Sequence, residues 1–252
     1  MAFTAHNIRL SDGTYTYPAA GCLLEENFRF TAAKRMLNLV FPDRKSGKRI
    51  ADLGCLEGGY ATGFARLGMT AVGIEGRESN FQNCLYVKSN VNLPNLSFFR
   101  DDVNNIDRYG IFDAIWACGI LYHLDNPRSF LTKAARACRR IILIETHFTN
   151  ENRTDASEHF CLSDICEHDG LKGRWYQEYN DIPQDELDNL KWASWSNQRS
   201  FWVQKEHLLQ LIKDVGFDIV VEQYDLFPNI LEGMDHYYRG QDRALFVGIK
   251  SL

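Results

Sequence analysis

The sequence predicts an α/β fold, a seven-stranded, mostly parallel sheet with helices on both faces. Short apolar runs alternate with amphipathic segments through the middle of the chain, the pattern of parallel strands joined by crossover helices. A glycine-bearing turn follows the first of these runs, and an acidic residue ends the second. With 252 residues and 45% hydrophobic content, the chain suits one elaborated domain with a sizeable core.

Residues 1–48 are expected to cap the core, with one helix over 25–40. Strands are expected at 49–55, 70–75, 96–100, 112–117 and 140–145, with helices at 60–67, 79–89 and 127–138 between them. In the last of these helices Phe130, Leu131, Ala134, Ala135 and Cys138 recur at helical spacing. A helix over 205–215, stopped by Gly216, precedes two strands at 217–224 and 244–250 that complete the sheet. The chain thus divides into a cap (1–48), a cofactor-binding core (49–148), an insert after the fifth strand (149–200) and a C-terminal completion of the sheet (201–252). The insert is rich in aromatic residues (Trp175, Tyr176, Tyr179, Trp192, Trp195), and a segment this long between core elements is expected to be a lid or a binding insert.

A net charge of -5 offers no global basic face for a nucleic-acid backbone, so nucleic acid is not the expected partner. No stretch approaches the roughly 18 to 20 apolar residues that cross a bilayer. Residues 1–10 carry no apolar signal core, so the expected location is the cytoplasm, away from membranes. The seven cysteines (Cys22, Cys55, Cys84, Cys118, Cys138, Cys161, Cys166) are odd in number and scattered, which predicts reduced thiols.

The turn Asp52-Leu-Gly-Cys-Leu-Glu-Gly-Gly59 leads from the first strand into the first helix. Glycines there let a ligand approach the backbone and set a helix N-terminus against an anionic group. Glu75 ends the second strand, where an acid can accept hydrogen bonds from both hydroxyls of a ribose. Either signal alone also fits a structural turn or a solvated strand end. Two further segments separate these readings: Phe98-Phe-Arg-Asp-Asp-Val103 after the third strand, and Phe112 to Pro127, which holds Leu-Tyr-His-Leu-Asp-Asn-Pro, at the fourth.

From Arg49 to His147 these segments resemble, in order and spacing, the class I methyltransferases that use S-adenosylmethionine. Within that class, Asp-Leu-Gly-Cys-Leu-Glu-Gly-Gly, Gly-Ile-Glu-Gly-Arg, Leu-Tyr-His-Leu-Asp-Asn-Pro and Glu-Thr-His are similar to a bacterial subgroup whose substrates are mostly unassigned. The resemblance implies a Rossmann-like sheet with its last strand antiparallel, an enzyme, and S-adenosyl-L-methionine as cofactor. It implies that Asp52, Gly54 and Gly58 shape the methionine-binding turn and that Glu75 holds the ribose. Asp102 would then hold the adenine amino group and the Val103 backbone a ring nitrogen, while Cys118 and Gly119 face the methionyl part. One departure is Leu56, which stands where the family's Gly-x-Gly-x-Gly has its central glycine, so the Gly58-Gly59 pair is expected to shape the turn. Glu75 would suit a dehydrogenase equally, but the turn lacks an intact Gly-x-Gly-x-x-Gly.

Methyl transfer to a hydroxyl or a protonated amine needs a base, whereas transfer to a carboxylate or thioether does not. The candidate bases are His147, which leaves the fifth strand at the mouth of the insert, and behind it His123, which leaves the fourth and for which packing and orienting the loop is the favoured role. Tyr122 is expected to be a wall of the methyl pocket. Arg174, Trp175, Tyr176, Trp195, Asn197, Arg199 and Trp202 are expected to bind the substrate, as aromatic walls with a few directed polar groups. The alternative is a satellite core with surface-paired arginines. His236-Tyr-Tyr-Arg239 would complete the pocket.

His159, Cys161, Cys166 and His168 raise the idea of zinc, but their separations match no standard knuckle and no metal is expected. Arg136, Arg139 and Arg140 read as a solvated helix end that favours the dipole. The predicted function is methyl transfer to oxygen or nitrogen of a small polar metabolite, such as a sugar or a secondary-metabolite intermediate. Two alternatives stand beside it. Ser200-Phe-Trp-Val and Ala244-Leu-Phe-Val-Gly are similar to the tRNA wobble-uridine carboxymethyltransferases, which need a basic channel. A cofactor-binding regulator without turnover would carry the same core.

Overall fold

Strands covered on both faces read as near-continuous apolar runs, and the first five strands of the chain carry such runs. They are β1 (Arg49–Leu53), β2 (Thr70–Glu75), β3 (Leu96–Arg100), β4 (Phe112–Cys118) and β5 (Cys138–His147). The computed structural model describes residues 2–152, 160–187, 189–223 and 242–251. Two short strands, β6 (Cys166–His168) and β7 (Leu171–Gln177), follow β5, and β8 (Arg199–Val203), β9 (Ile219–Gln223) and β10 (Arg243–Ile249) complete the set. The helices are α1 (Phe28–Val40), α2 (Gly59–Arg66), α3 (Glu78–Asn90), α4 (Pro127–Ala137), α5 (Gln184–Leu187) and α6 (Lys205–Asp214).

Seven strands form one sheet in the order β3-β2-β1-β4-β5-β10-β9. β1 pairs in parallel with β2 and β4, β2 pairs in parallel with β3, and β10 runs antiparallel to β9. This is the predicted sheet with its reversed last strand. The chain starts at the centre, steps outward to β3, and returns to the other side of β1 at β4. That reversal is a topological switch point, and open α/β sheets take ligands at the carboxyl ends of strands beside it.

The helical span expected at 25–40 begins later, because a 3-10 turn over Leu24–Glu26 precedes it and the Asn27 side chain caps it by accepting from the Arg29 N–H. α6 ends on schedule, with Gly216 at a φ of +105°. Tyr224 and His236-Tyr-Tyr-Arg239 lie outside the described residues. The insert holds a second, antiparallel sheet in the order β6-β7-β8, which the sequence reading did not anticipate. Aromatic residues occupy both faces of β7 and β8, so no apolar–polar alternation announces these strands. β8 also runs to Val203, past the boundary expected at 200.

The chain divides into two compact units, residues 1–116 with 137–141, and residues 117–136 with 142–252. Tyr60, Phe64 and Trp116 form an aromatic centre in the first, with rings 5.3 and 6.1 Å apart. Phe148 and Phe246 pack edge to face at 5.7 Å in the second. Among the described residues no helix is long and apolar enough to cross a membrane.

Gly73 on β2 is a packing glycine: a Cβ there would lie 2.5 Å from Phe98 Cδ1 and 2.8 Å from Cys55 Sγ. Gly73→Ala is therefore expected to destabilise the chain by about 1–3 kcal/mol through overpacking, read as a lower midpoint in denaturant unfolding.

Candidate functional site

Between Leu53 and Gly59 the backbone of the first unit turns through three left-handed positions, Gly54 (φ +68°), Leu56 (φ +52°) and Gly58 (φ +79°). A Cβ on Gly58 would lie 2.6 Å from Phe98 Cζ, so only glycine fits there. Leu56 adopts the conformation of the glycine it replaces, and its neighbours hold it in place. Its N–H donates to Glu75 Oε2 at 2.8 Å, and its carbonyl accepts from the Cys84 thiol at 3.2 Å. The turn is thus held from outside as well as by the expected glycine pair.

Asp52 is buried and accepts from the Ala61 N–H at 2.9 Å, close to the start of α2. Burial pushes its carboxyl up to about 8, against the pull of that N–H. Glu75, at the end of β2, also accepts from the Arg77 N–H at 2.9 Å and from Asn80 Nδ2 at 3.5 Å. Burial pushes its carboxyl up, and the N–H groups of Arg77 and Leu56 oppose the rise. Asn80 Oδ1 beside it is buried and has no hydrogen-bond partner among the described residues. Asp102 caps the 3-10 helix Val103–Tyr109 with Oδ1, which accepts from the N–H and side-chain amide of Asn104 at 2.8 and 3.0 Å. Val103 is buried.

In the second unit, Gly119 takes a φ of +71° and its N–H donates to the Glu145 carbonyl at 2.9 Å. The Cys118 thiol approaches Glu145 Oε2 at 3.6 Å. Glu145 is fully buried and grips Arg243 with two bonds, Nε to Oε1 at 2.7 Å and Nη2 to Oε2 at 2.8 Å. The guanidinium lies 5.3 Å from the centre of the Tyr122 ring, and its Nη1 stands 3.3 Å from His147 Nε2. A guanidinium only donates, so Nε2 accepts and the imidazole proton sits on Nδ1, 3.3 Å from Asp242 Oδ1. Burial pushes the Tyr122 hydroxyl up to about 12, which keeps it a neutral phenol.

His123 is held differently. Its Nδ1 lies 2.9 and 3.1 Å from the two oxygens of Glu178, whose side chain is 1% exposed. Glu178 also accepts from the Ser200 hydroxyl at 2.7 Å and from the Ser194 N–H at 2.9 Å. With Nδ1–H committed to the carboxylate, Nε2 is the accepting nitrogen, and among the described residues it makes no hydrogen bond. Asn197 steadies the same loop by donating to the His123 and Arg199 carbonyls at 3.0 and 2.7 Å.

The pairing of β7 with β8 sorts the expected substrate residues onto two faces. Arg174 sits opposite Trp202 and Tyr176 opposite Ser200, while Trp175 sits opposite Phe201. On the first face Tyr176 and Trp202 join Phe160, Tyr122 and His147, with the Trp202 ring stacked 4.7 Å from the imidazole. On the other face Trp175 packs against Phe201 and His168, with Arg199 over its ring at 5.0 Å. Arg174 is buried and donates to Thr149 Oγ1, the Ser163 carbonyl and the Glu151 carbonyl at 2.9 to 3.1 Å. Trp195 is 37% exposed and stands apart from these clusters. Of the weighed zinc set, His159 lies outside the described residues, while Cys161 is exposed.

Sequence reasoning missed Glu178 as the partner of His123, Arg243 and Glu145 as a buried pair, and Glu57 in the turn. An ionisable residue inside an apolar strand, as at Glu145, was the one readable signal, because such a charge needs a partner.

A sequence profile described as a methyltransferase domain matches residues 25–222. No curated protein matches the chain. Among solved structures, the N-terminal domain of EvdMO1 with S-adenosylhomocysteine bound superposes with a TM-score of 0.64 at 22% identity, over 90% of this chain and 82% of that one. The 1,6-didemethyltoxoflavin-N1-methyltransferase of Burkholderia thailandensis, with its substrate and S-adenosylhomocysteine bound, gives 0.55 at 14% identity over 91% and 80%. Magnesium protoporphyrin IX methyltransferase from Synechocystis PCC 6803 with bound S-adenosylmethionine gives 0.52 at 14% over 88% and 79%.

Two measurements test these electrostatics. Arg243→Met leaves Glu145 buried without its cation and is expected to cost about 3 kcal/mol in unfolding free energy, with Glu145→Gln added to it restoring part of the loss. Asp52 titrates higher folded than unfolded, so its contribution to stability is complete below the unfolded value of 3.8 and is lost as pH rises toward 8. Asp52→Asn should flatten that decline when unfolding is compared at the two ends of the window.

Proposed function

We propose that this chain, a member of the methyltransferase domain family, moves the methyl group of S-adenosylmethionine to a hydroxyl or amine of a small polar metabolite, with His123 as the base. The observation that carries the reading is the pair of His123 and buried Glu178. The carboxylate fixes the tautomer and aims an accepting Nε2 that no other described residue claims. We place His123 ahead of His147 in this role because Arg243 Nη1 stands 3.3 Å from His147 Nε2.

The residues present fit the cofactor. Glu75 at the end of β2, with the unpartnered Asn80 Oδ1 beside it, offers acceptors for ribose hydroxyls. The left-handed turn at 54–58 brings backbone close to a ligand, and Asp102 and Val103 follow β3, where the adenine would be held. When bound, S-adenosylmethionine supplies a methyl group on a cationic sulfur. His123 Nε2 takes the acceptor's proton as the new bond forms, Glu178 stabilises the resulting imidazolium, and Tyr122 and Tyr176 wall the acceptor and exclude water. Cys118 and Gly119, at the end of β4, are read as facing the methionyl part. Asn197 belongs to this reading through the His123 loop it steadies, and Trp202 through its place behind Tyr122. The N-terminal domain of EvdMO1 was also crystallised in the presence of S-adenosylhomocysteine and D-fucose, which makes sugars the first acceptor class to try.

Release of S-adenosylhomocysteine, followed across sugars, hydroxylated metabolites, amines and a separate tRNA arm, tests the proposal. His123→Ala is expected to lower kcat by about 10²–10⁴-fold and to leave S-adenosylhomocysteine affinity within about threefold. Full turnover in His123→Ala would remove it as the base, and product formed only with tRNA would overturn the small acceptor.

A further inference from the structure

We propose that Glu57 and the N-terminal residues Thr4, Ala5 and His6 form a latch that sets the shape of the cofactor turn, which makes Glu57 a positioning residue for cofactor binding. The inference rests on reading that turn as the S-adenosylmethionine site.

Glu57 lies in the middle of the turn and is 0% exposed. A carboxylate so placed needs several donors, and the distant N-terminal segment brings four. Thr4 donates to Oε1 through its N–H at 2.8 Å and its hydroxyl at 3.2 Å. The N–H groups of Ala5 and His6 donate to Oε2 at 3.1 and 2.9 Å. The contact is reciprocal, because His6 Nδ1 accepts the N–H of Gly59, the first residue of α2, at 3.0 Å. The His6 ring packs edge-on against Tyr60 at 5.4 Å, and a Cβ on Gly59 would overlap both His6 and Leu24. Asn83 Nδ2 donates to the Ala2 carbonyl at 3.1 Å and ties the same segment to α3.

The turn needs such support. Leu56 occupies a left-handed position that a non-glycine residue leaves readily, and such a backbone persists only where its surroundings over-determine it. Glu75 and Cys84 hold Leu56 directly, and the latch holds Glu57 and Gly59 on either side of Gly58. Among the described residues three of the four donors on Glu57 are backbone groups, so the grip on the acid rests on main chain, while the grip on Gly59 rests on the His6 side chain. Glutamine is no substitute, since its amide nitrogen would face a donor.

Calorimetric titration with S-adenosylhomocysteine provides the test, on the full chain, on Glu57→Gln, on a chain lacking residues 2–6, and on the two changes combined. Each single change is expected to weaken binding by about tenfold or more, and the combination no further than the deletion alone, because Glu57 acts through the segment. In the unaltered chain, cofactor binding should slow hydrogen exchange at the Ala5 and His6 amides, since coupling is reciprocal. Should Glu57→Gln not fold, the exchange measurement decides. Unchanged affinity in Glu57→Gln, additive losses, or exchange indifferent to the ligand would overturn the latch. If Glu75→Ala weakens binding while Glu57→Gln does not, the latch alone fails; if the unaltered chain binds no S-adenosylhomocysteine, the donor reading falls and the latch with it.

Discussion

The hydrogen bond from the Leu56 N–H to Glu75 Oε2 is the constraint on which the first unit's site depends. It joins the turn after β1 to the end of β2 and fixes a left-handed leucine where a glycine would move freely. The same carboxylate receives the Arg77 N–H, so the exit of β2 and the entrance to α2 share one anion. Burial raises the energy of that anion, and the converging N–H groups, the Asn80 amide and the Arg77 charge oppose the rise. A rigid turn is the consequence. Its backbone is arranged before any ligand arrives, which lowers the entropic cost of binding.

In the second unit three carboxylates do comparable work with different partners. Glu145 has a guanidinium, Asp242 faces an imidazole, and Glu178 takes an imidazole, a hydroxyl and a backbone N–H. These choices separate the two histidines. His147 is enclosed by Arg243, Asp242 and the Trp202 ring, whereas His123 is oriented from one side only. A base must be both aimed and available, and that requirement is why the proposed function assigns the role to His123.

Much of the core was legible in the sequence, because parallel strands are continuous apolar runs and their ends carry residues of restricted chemistry. β2 and β3 fall where the pattern places them, and Glu75 and Asp102 sit at their carboxyl ends. The conformation of Leu56 was not legible, since a leucine in a glycine position gives no sign of the neighbours that hold it. The insert was legible only as composition. Its aromatic residues announced packing, but which faced inward depended on the pairing of β7 with β8, a non-local property. Arg174 and Tyr176 look alike as candidates in the sequence, yet one spends its donors on Thr149, Ser163 and Glu151 while the other meets Trp202. The pairing of His123 with Glu178 spans 55 residues, beyond any local pattern.

The two-faced sheet of the insert has a consequence for how this chain can diversify. Even-numbered positions along β7 and β8 (174, 176, 200, 202) share the face that holds His147, and odd-numbered ones (175, 199, 201) share the face that holds His168. Substitutions at the odd set can tune the insert's own packing while the chemistry stays as it is. A single-residue insertion or deletion within either strand would exchange the two sets wholesale. Lineages descended from this chain should therefore vary by replacement inside these strands and by length change only in the loops that join them.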